Sequence, residues 1–273
     1  MRLGYIALPL SPMKTIAIAN HKGGVGKTAT VHALGAALAG MGRRVLLVDA
    51  DPQSSLTAAC NVQAAGESLA EVLGGAAAGA LPLAKILVDV ADVETAVMHL
   101  APADIALSSN ELGMVMRIGR EYVLKNALAT VGRAYDVCLI DCPPSLGMLT
   151  VNALAAADVA IIPTQPQISD VRGLVLFLET VSSIRTAINP GLQILGVLVT
   201  FYDGRTIHHR DAVQTLIDQG LPLFATMIGR SIRVAEAPAA GESVVTYDPA
   251  NPQAENYKQL AMEIDKWLKS GRR

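Results

Sequence analysis

Aromatic residues are scarce in this 273-residue chain: they make up 4% of it, with three phenylalanines and one tryptophan. A core must therefore be assembled from Ala, Val, Leu and Ile, which dominate a hydrophobic fraction of 51%. Cysteine is rarer still. Cys60, Cys138 and Cys142 form an odd set at irregular spacing without a Cys-x-x-Cys pair. That pattern argues against a disulfide framework and a cysteine-rich metal centre, and it fits reduced packing thiols in a cytoplasmic protein. No apolar run approaches the ~20 residues of a membrane span. Residues 1–12 hold a short apolar stretch, but one arginine and no small-residue cleavage site make a poor signal peptide, so they read as an extension before residues 13–273. An excess of charge is also missing. A net charge of −2 provides no general field for nucleic acid, and any DNA contact must come from a local patch.

What is present is a phosphate-binding loop. Asn20, His21, Lys22, Gly23, Gly24, Val25, Gly26, Lys27, Thr28 and Ala29 follow an apolar run ending at Ala19 and precede an Ala-rich helical pattern. Three glycines in four residues let several backbone N–H groups turn inward at anionic oxygens, while Lys27 adds a point charge and the Thr28 hydroxyl can bind Mg2+. Thr15 to Ala19 reads as a strand. Val31, Leu34, Ala37, Leu38 and Met41 share one helical face, so strand, loop and helix come in the order that puts phosphates at a helix N-terminus. The general pattern Gly-x-x-x-x-Gly-Lys-Ser/Thr is broken at its first position by His21. A second lysine, Lys22, stands before the glycine pair, where it adds like-charge repulsion to Lys27 unless it meets another anion.

Further along, Arg44 to Val48 forms a buried strand running into Asp49-Ala50-Asp51-Pro52-Gln53. Tyr135 to Asp141 forms another, ending in Asp141-Cys142-Pro143-Pro144-Ser145-Leu146-Gly147. Carboxylates at the C-terminal ends of such strands lie where ligands bind in open α/β sheets, and Asp141 is a candidate to hold Mg2+ through water. Cys138 and Cys142 alternate with Asp141 and read as packing. Strands over Asp158 to Pro163 and Gln193 to Phe201, a short one over Leu223 to Met227, and helices over Ser68 to Leu73, Asp170 to Ile188 and Asp211 to Gln219 continue the alternation. Glu111 to Val131 has spacing for one or two helices, with Arg117, Arg120 and Lys125 on a solvated face. A doubly wound, mostly parallel sheet flanked by helices on both faces follows. The last helix, Ala254 to Ser270, sets Tyr257, Leu260, Ala261, Ile264, Trp267 and Leu268 on one stripe suited to covering the sheet.

The Lys-Gly-Gly-x-Gly-Lys-Thr loop, Asp-x-Asp-Pro-Gln and Asp-x-Pro-Pro-x-Leu-Gly together resemble the deviant P-loop ATPases of the ParA/MinD superfamily. The likeness runs from Lys14 onward and is closest to the short, Soj-like form. It implies ATP and Mg2+ as cofactors, with residues 22–29 on the nucleotide, Asp51 orienting the attacking water, and Thr28, Asp51 and Asp141 at the metal. It implies a Lys22 that reaches the triphosphate of the facing subunit in an ATP-dependent homodimer. Relatives often carry a Glu where Gln165 and Gln167 stand, so Gln167 is a candidate nucleotide contact. Gly229 and Ser231 occupy the segment that borders the adenine in similar proteins. Arg205, Arg230 and Arg233 fall where similar proteins carry arginines that contact non-specific DNA. A ParB-type centromere-binding protein is the implied partner, in a cytoplasmic, nucleoid-associated setting. Two other readings remain open. A MinD-like protein would bind membrane through the last helix, with Lys266, Lys269, Arg272 and Arg273 meeting anionic lipid, although core packing is the better use of that helix. An iron–sulfur ATPase is disfavoured by the cysteine spacing.

Overall fold

The computed structural model describes residues 13–63, 66–74, 81–91 and 96–270. The extension over residues 1–12, and Arg272 and Arg273, lie outside them. Six short apolar segments form parallel strands: β1 (Lys14–Ile18), β2 (Val45–Asp49), β4 (Met98–Ala101), β5 (Val137–Asp141), β6 (Val159–Thr164) and β7 (Gln193–Val199). A two-residue strand, β3 (Val88–Asp89), pairs antiparallel with β4 at one edge, giving the order β3-β4-β2-β5-β1-β6-β7. The chain winds from β1 to β2 on one side and from β5 past β1 to β6 on the other. That reversal creates a crevice at the C-terminal end of β1, the place where open α/β sheets receive ligands.

Strand alternation divides the apolar residues between two layers. Ala17, Val48, Cys138, Ile140, Ile162 and Val197 face one core, shared with α3 (Leu69–Gly74), α4 (Ala106–Met114), α5 (Val123–Val131), α6 (Met148–Ala156), α7 (Ile168–Ala187) and α8 (Ile207–Asp218). Ile16, Ile18, Leu47, Leu139, Ile161 and Leu198 face the other, under α1 (Lys27–Gly40) and α11 (Pro252–Ser270), with the short α2 (Ser55–Ala59), α9 (Ile232–Glu236) and α10 (Val244–Tyr247) at its margin. Because strands buried on both faces lack polar residues to alternate, they read in sequence as near-continuous apolar runs. Close helix approach explains the small residues of α1. A Cβ on Gly35 would stand 2.8 Å from the Leu47 side chain, so only glycine lets that turn sit down on β2.

Two sequence expectations change. Leu223 to Met227 is not a continuous strand: it touches β7 through a single bridge, Val197 to Leu223, and a second isolated bridge joins Tyr202 to Gly229. The Val197 N–H donates to the Pro222 carbonyl, the Phe224 N–H to Val197 and the Ile228 N–H to Val199, so the chain runs beside β7 on scattered bonds without a continuous ladder, and the Phe224 ring folds over Gly196. The second change is α6, which the sequence does not announce. With Leu149, Ala153, Leu154 and Ala155 all buried and few polar residues opposite, it has no amphipathic contrast to read. Glu111 to Val131 resolves into the end of α4 and all of α5.

The stripe on α11 is used inside the molecule. Tyr257, Leu260, Ala261, Ile264 and Leu268 are buried, and α11 packs along α1. Asp265 fixes the pair of helices, accepting from Arg43 Nε at 2.8 Å and from Lys269 at 2.6 Å. Burial alone would push its carboxyl up, yet the hydrogen bonds from Lys269 and Arg43 hold it below the usual carboxylate range. A depressed folded pKa stabilises the fold above the unfolded value near 4 and loses that contribution as pH falls through the folded value. Asp265→Asn should therefore cost on the order of 3 kcal/mol at neutral pH. Urea unfolding of both proteins across a pH series should show the gap closing below about pH 4.

Candidate functional site

The loop between β1 and α1 is held before any ligand arrives. Gly24 and Gly26 take φ of +73° and +84°, the left-handed region open to glycine, and a Cβ on Gly24 would meet nothing within 4 Å. Beyond the loop, the first backbone N–H groups of α1 have no helical carbonyl to bond. Neighbouring strand ends brace the loop from beneath. Asn20 Nδ2 donates to the Pro163 carbonyl at 2.7 Å, Gln165 Nε2 to Gly24 at 2.8 Å, and Thr200 Oγ1 to Val25 at 2.9 Å. Lys27 is buried, with Nζ donating to the Lys22 carbonyl at 3.0 Å. Burial lowers its pKa, opposed by Asp141, Cys142 and Asp51.

Parallel register brings the acids together. Asp141 pairs with Ile18 of β1 on one side and with Asp49 of β2 on the other. Thr28 Oγ1 donates to Asp141 Oδ2 at 2.7 Å, while Oδ1 is buried and has no hydrogen-bond partner. Desolvation and then Asp49 push the Asp141 carboxyl well up, against the Thr28 hydrogen bond and Lys27. A buried carboxylate with one unsatisfied oxygen beside a hydroxyl and a lysine suits a hydrated hard cation, since Mg2+ keeps several waters and takes few protein ligands. Thr28 and Asp141 thus fit the ion. Asp49 serves differently: burial pushes it up to about 6, and it accepts from Thr57 N–H at 2.8 Å, Thr57 Oγ1 at 2.7 Å and Asp51 N–H at 3.2 Å. It ties down the turn that presents Asp51, which is half-exposed.

One cleft of about 490 Å3 is lined by Gly23, Gly24, Gly26, Lys27, Thr28, Ala29 and Asp51. Pro238 and Phe201, the latter marked by no motif, also line it. Val25 is fully buried beneath the loop.

The family model AAA_31, an AAA domain, matches residues 13–194. The sporulation initiation inhibitor protein Soj of Bacillus subtilis is 41% identical over 92% of this chain and 98% of its own length. The chromosome partitioning protein ParA of Caulobacter vibrioides is 38% identical over 93% and 94%. The chain belongs to the Soj/ParA family of ATPases. A Mycobacterium smegmatis protein described as cobyrinic acid a,c-diamide synthase, solved with an ATP analogue and magnesium, is 40% identical and superposes with a TM-score of 0.82 over 95% of this chain and 97% of that one.

Other residues singled out in the sequence lie outside the lining of this cleft. Lys22 is outside the cleft lining, and its Nζ meets Asp170, a side chain only 2% exposed, in the first turn of α7. Gln167 is exposed and donates to Gln165 Oε1 at 3.2 Å, so Gln165 is the glutamine that touches the loop. Gly229 and Ser231 do not line the cleft: the Gly229 N–H donates to Gln253, and Ser231 Oγ lies 3.4 Å from Asn251. Arg205 pairs with Asp203 at 3.1 Å, and Arg233 with Glu236 at 2.9 Å and Asp248 at 3.7 Å. Arg230 is exposed and stands over the Phe201 ring. Cys138 and Cys142 are buried, and desolvation pushes both thiols up, as inert packing groups require. Losing one brace from the loop should cost about 1 kcal/mol, roughly fivefold in affinity. Titration with a fluorescent ATP analogue should accordingly show Gln165→Ala weakened several-fold and Gln167→Ala unchanged.

Proposed function

We propose that the chain is an ATP- and Mg2+-dependent dimerising ATPase that binds DNA without sequence preference and moves plasmid or chromosomal cargo with a ParB-type partner. The observation that carries this reading is the orphaned Asp141 Oδ1 beside Thr28 and Lys27 under a braced glycine loop. The names of the Bacillus and Caulobacter relatives support the partitioning role. In this reading the Gly23–Thr28 N–H groups and Lys27 take the phosphates, and Thr28 with Asp141 holds the ion's water shell. Magnesium, when bound, supplies charge neutralisation on the phosphate oxygens. Asp51 accepts a hydrogen bond from the attacking water and aligns it, which is positioning and electrostatic work in a reaction that needs little else from the protein. Lys22, outside its own cleft, completes the site of a second subunit. The setting is cytoplasmic and nucleoid-associated. A membrane-positioning role is less well supported, because the apolar stripe of α11 is spent against α1.

Nucleotide chemistry is tested by three variants. Lys27→Ala should abolish ATP binding, and Asp51→Ala should bind ATP normally but hydrolyse it at least a hundredfold more slowly, a typical scale for removing one transition-state interaction. Lys22→Ala should bind ATP and stay monomeric in sedimentation runs where Asp51→Ala is dimeric. Equal hydrolysis by wild type and Asp51→Ala would remove the water-aligning role.

DNA binding cannot come from the net charge of −2, so it is assigned to Arg205 and Arg233, both exposed and doubled by a homodimer. A gel shift should need ATP, ignore sequence and weaken steeply with salt. In Arg205→Glu and Arg233→Glu proteins the log–log salt slope should fall by about one for each phosphate that is no longer neutralised; full retention of binding would reject the patch.

A further inference from the structure

Every α-helix leaves the N–H groups of its first turn without helical acceptors, and a Ser, Thr, Asn or Asp side chain at the preceding residue is the usual remedy. α6 has no such cap. The residue before it is Gly147, with no side chain to offer, and its φ of −75° is one that any residue adopts, so backbone freedom does not account for the glycine. Another helix does. Glu111 of α4 accepts from the Leu149 N–H through Oε1 at 3.3 Å, and a Cβ on Gly147 would fall on that same carboxylate oxygen. The cap that Gly147 cannot supply is supplied by Glu111, whose negative charge meets the positive end of the helix dipole.

This contact fixes the segment between β5 and α6. At its start the Ala50 N–H donates to the Asp141 carbonyl at 3.0 Å and the Cys142 N–H to Ile18 at 3.2 Å, so the chain leaves the sheet bonded to both neighbouring strands. Near its end Thr150 Oγ1 donates to the Ser145 carbonyl at 2.6 Å and the Val151 N–H to Gly147 at 3.1 Å. Pro144, Ser145 and Leu146, in between, are exposed. Pro144 lines the cleft, its Cβ 3.9 Å from where a Gly23 Cβ would stand. The segment therefore begins at the acid that fits the metal and walls the cleft beside the start of the glycine loop, and Glu111 joins its far end to α4. That helix is itself anchored. Asn110 Nδ2 donates to the Ala70 carbonyl of α3 at 2.6 Å, and Leu107 and Met114 are buried.

We propose that Glu111 is a positioning residue for ATP hydrolysis, capping α6 from α4 and thereby holding the Pro143–Gly147 segment in place beside the glycine loop. This rests on the reading of the cleft as an ATPase site. Phosphate affinity in that reading comes from the loop N–H groups and Lys27, and Glu111 bonds instead to the start of α6. Hydrolysis asks for more than affinity. Water, phosphate and the groups around them have to stay aligned, and a displacement of about 1 Å that originates far from the chemistry can cost on the order of a hundredfold in rate. Loss of Glu111 accordingly leaves ATP bound and slows its hydrolysis.

The test is steady-state phosphate release and calorimetric titration with MgATP for wild type, Glu111→Ala, Glu111→Gln, Gly147→Ala and the double variant Glu111→Ala/Gly147→Ala, with unfolding midpoints recorded for each. Glu111→Ala should lower kcat roughly tenfold, the scale of one lost helix cap, and keep ATP affinity within about twofold of wild type. Glu111→Gln retains an acceptor oxygen and should recover most of the rate. Gly147→Ala puts a methyl group where the carboxylate lies and should lose as much as Glu111→Ala, while the double variant should be no slower than either single one, since both remove the same contact. Wild-type kcat in Glu111→Ala, even with a lowered unfolding midpoint, would overturn the proposal and leave the carboxylate as a stabilising cap alone. Losses that multiply in the double variant, or a fall in ATP affinity as large as the fall in kcat, would overturn it as well. Asp51→Ala separates the two levels of inference: if it hydrolyses ATP as wild type does, the reading of the site is wrong. If it is slow while Glu111→Ala is as fast as wild type, the role of Glu111 alone falls.

Discussion

The buried Asp141 carboxylate constrains everything around it. Parallel pairing puts it level with Asp49 and Ile18 at the end of the sheet, so two acids are carried into an apolar interior side by side. Neither would ionise there without help. Asp49 is satisfied by three donors from Asp51 and Thr57, which hold back the rise that burial imposes on its carboxyl, whereas Asp141 receives one donor, Thr28, and faces Lys27. The difference in donors decides the difference in role. The better satisfied acid organises a loop, and the under-satisfied one retains capacity for a cation.

A second consequence concerns rigidity. Glycine-rich loops are conformationally expensive to order, and a loop that had to be ordered on binding would lose that free energy from its affinity. Here the ordering is done in the folded protein by Asn20, Gln165 and Thr200, which reach the loop region from β1, β6 and β7. Each is a single neutral hydrogen bond worth about 1 kcal/mol. Gln165 and Thr200 hold the Gly24 and Val25 carbonyls, while Asn20 ties the start of the loop to β6, donating to Pro163 and accepting from the Lys22 N–H.

Much of this was legible in the sequence because it depends on local pattern. The glycine spacing, the strand before it and the helix after it specify a phosphate loop with no tertiary information; Asp141 announces itself by ending an apolar run and Asp51 by its place in Asp-x-Asp-Pro-Gln just past another. What was not legible depends on neighbours distant in the chain. Gln165 and Gln167 are equivalent in sequence, and only the direction in which β6 ends assigns the first to Gly24. Gly229 and Ser231 looked like cleft residues because of where they fall, yet Gln253 and Asn251 of the last helix region claim them. Phe201 follows an apolar strand and reads as its last residue; its left-handed turn arises from anchors contributed by Thr164, Val25 and Ile228.

Lys22 shows how the same constraint reaches α7. Like-charge repulsion from Lys27 requires an anion for it, and within one chain Asp170 fills that place. Offering Lys22 to another subunit means breaking an ion pair with a carboxylate that is almost wholly buried, which would be prohibitive for an isolated acid. Asp170, however, sits in the first turn of a 20-residue helix. There the helix dipole and the unbonded N–H groups favour negative charge whether or not the lysine stays. In the proposed dimer, the residue that holds Lys22 in one chain would thus be placed where its negative charge stays favoured after the lysine leaves, and the facing triphosphate, with more charge than one carboxylate, would have the larger claim on that lysine.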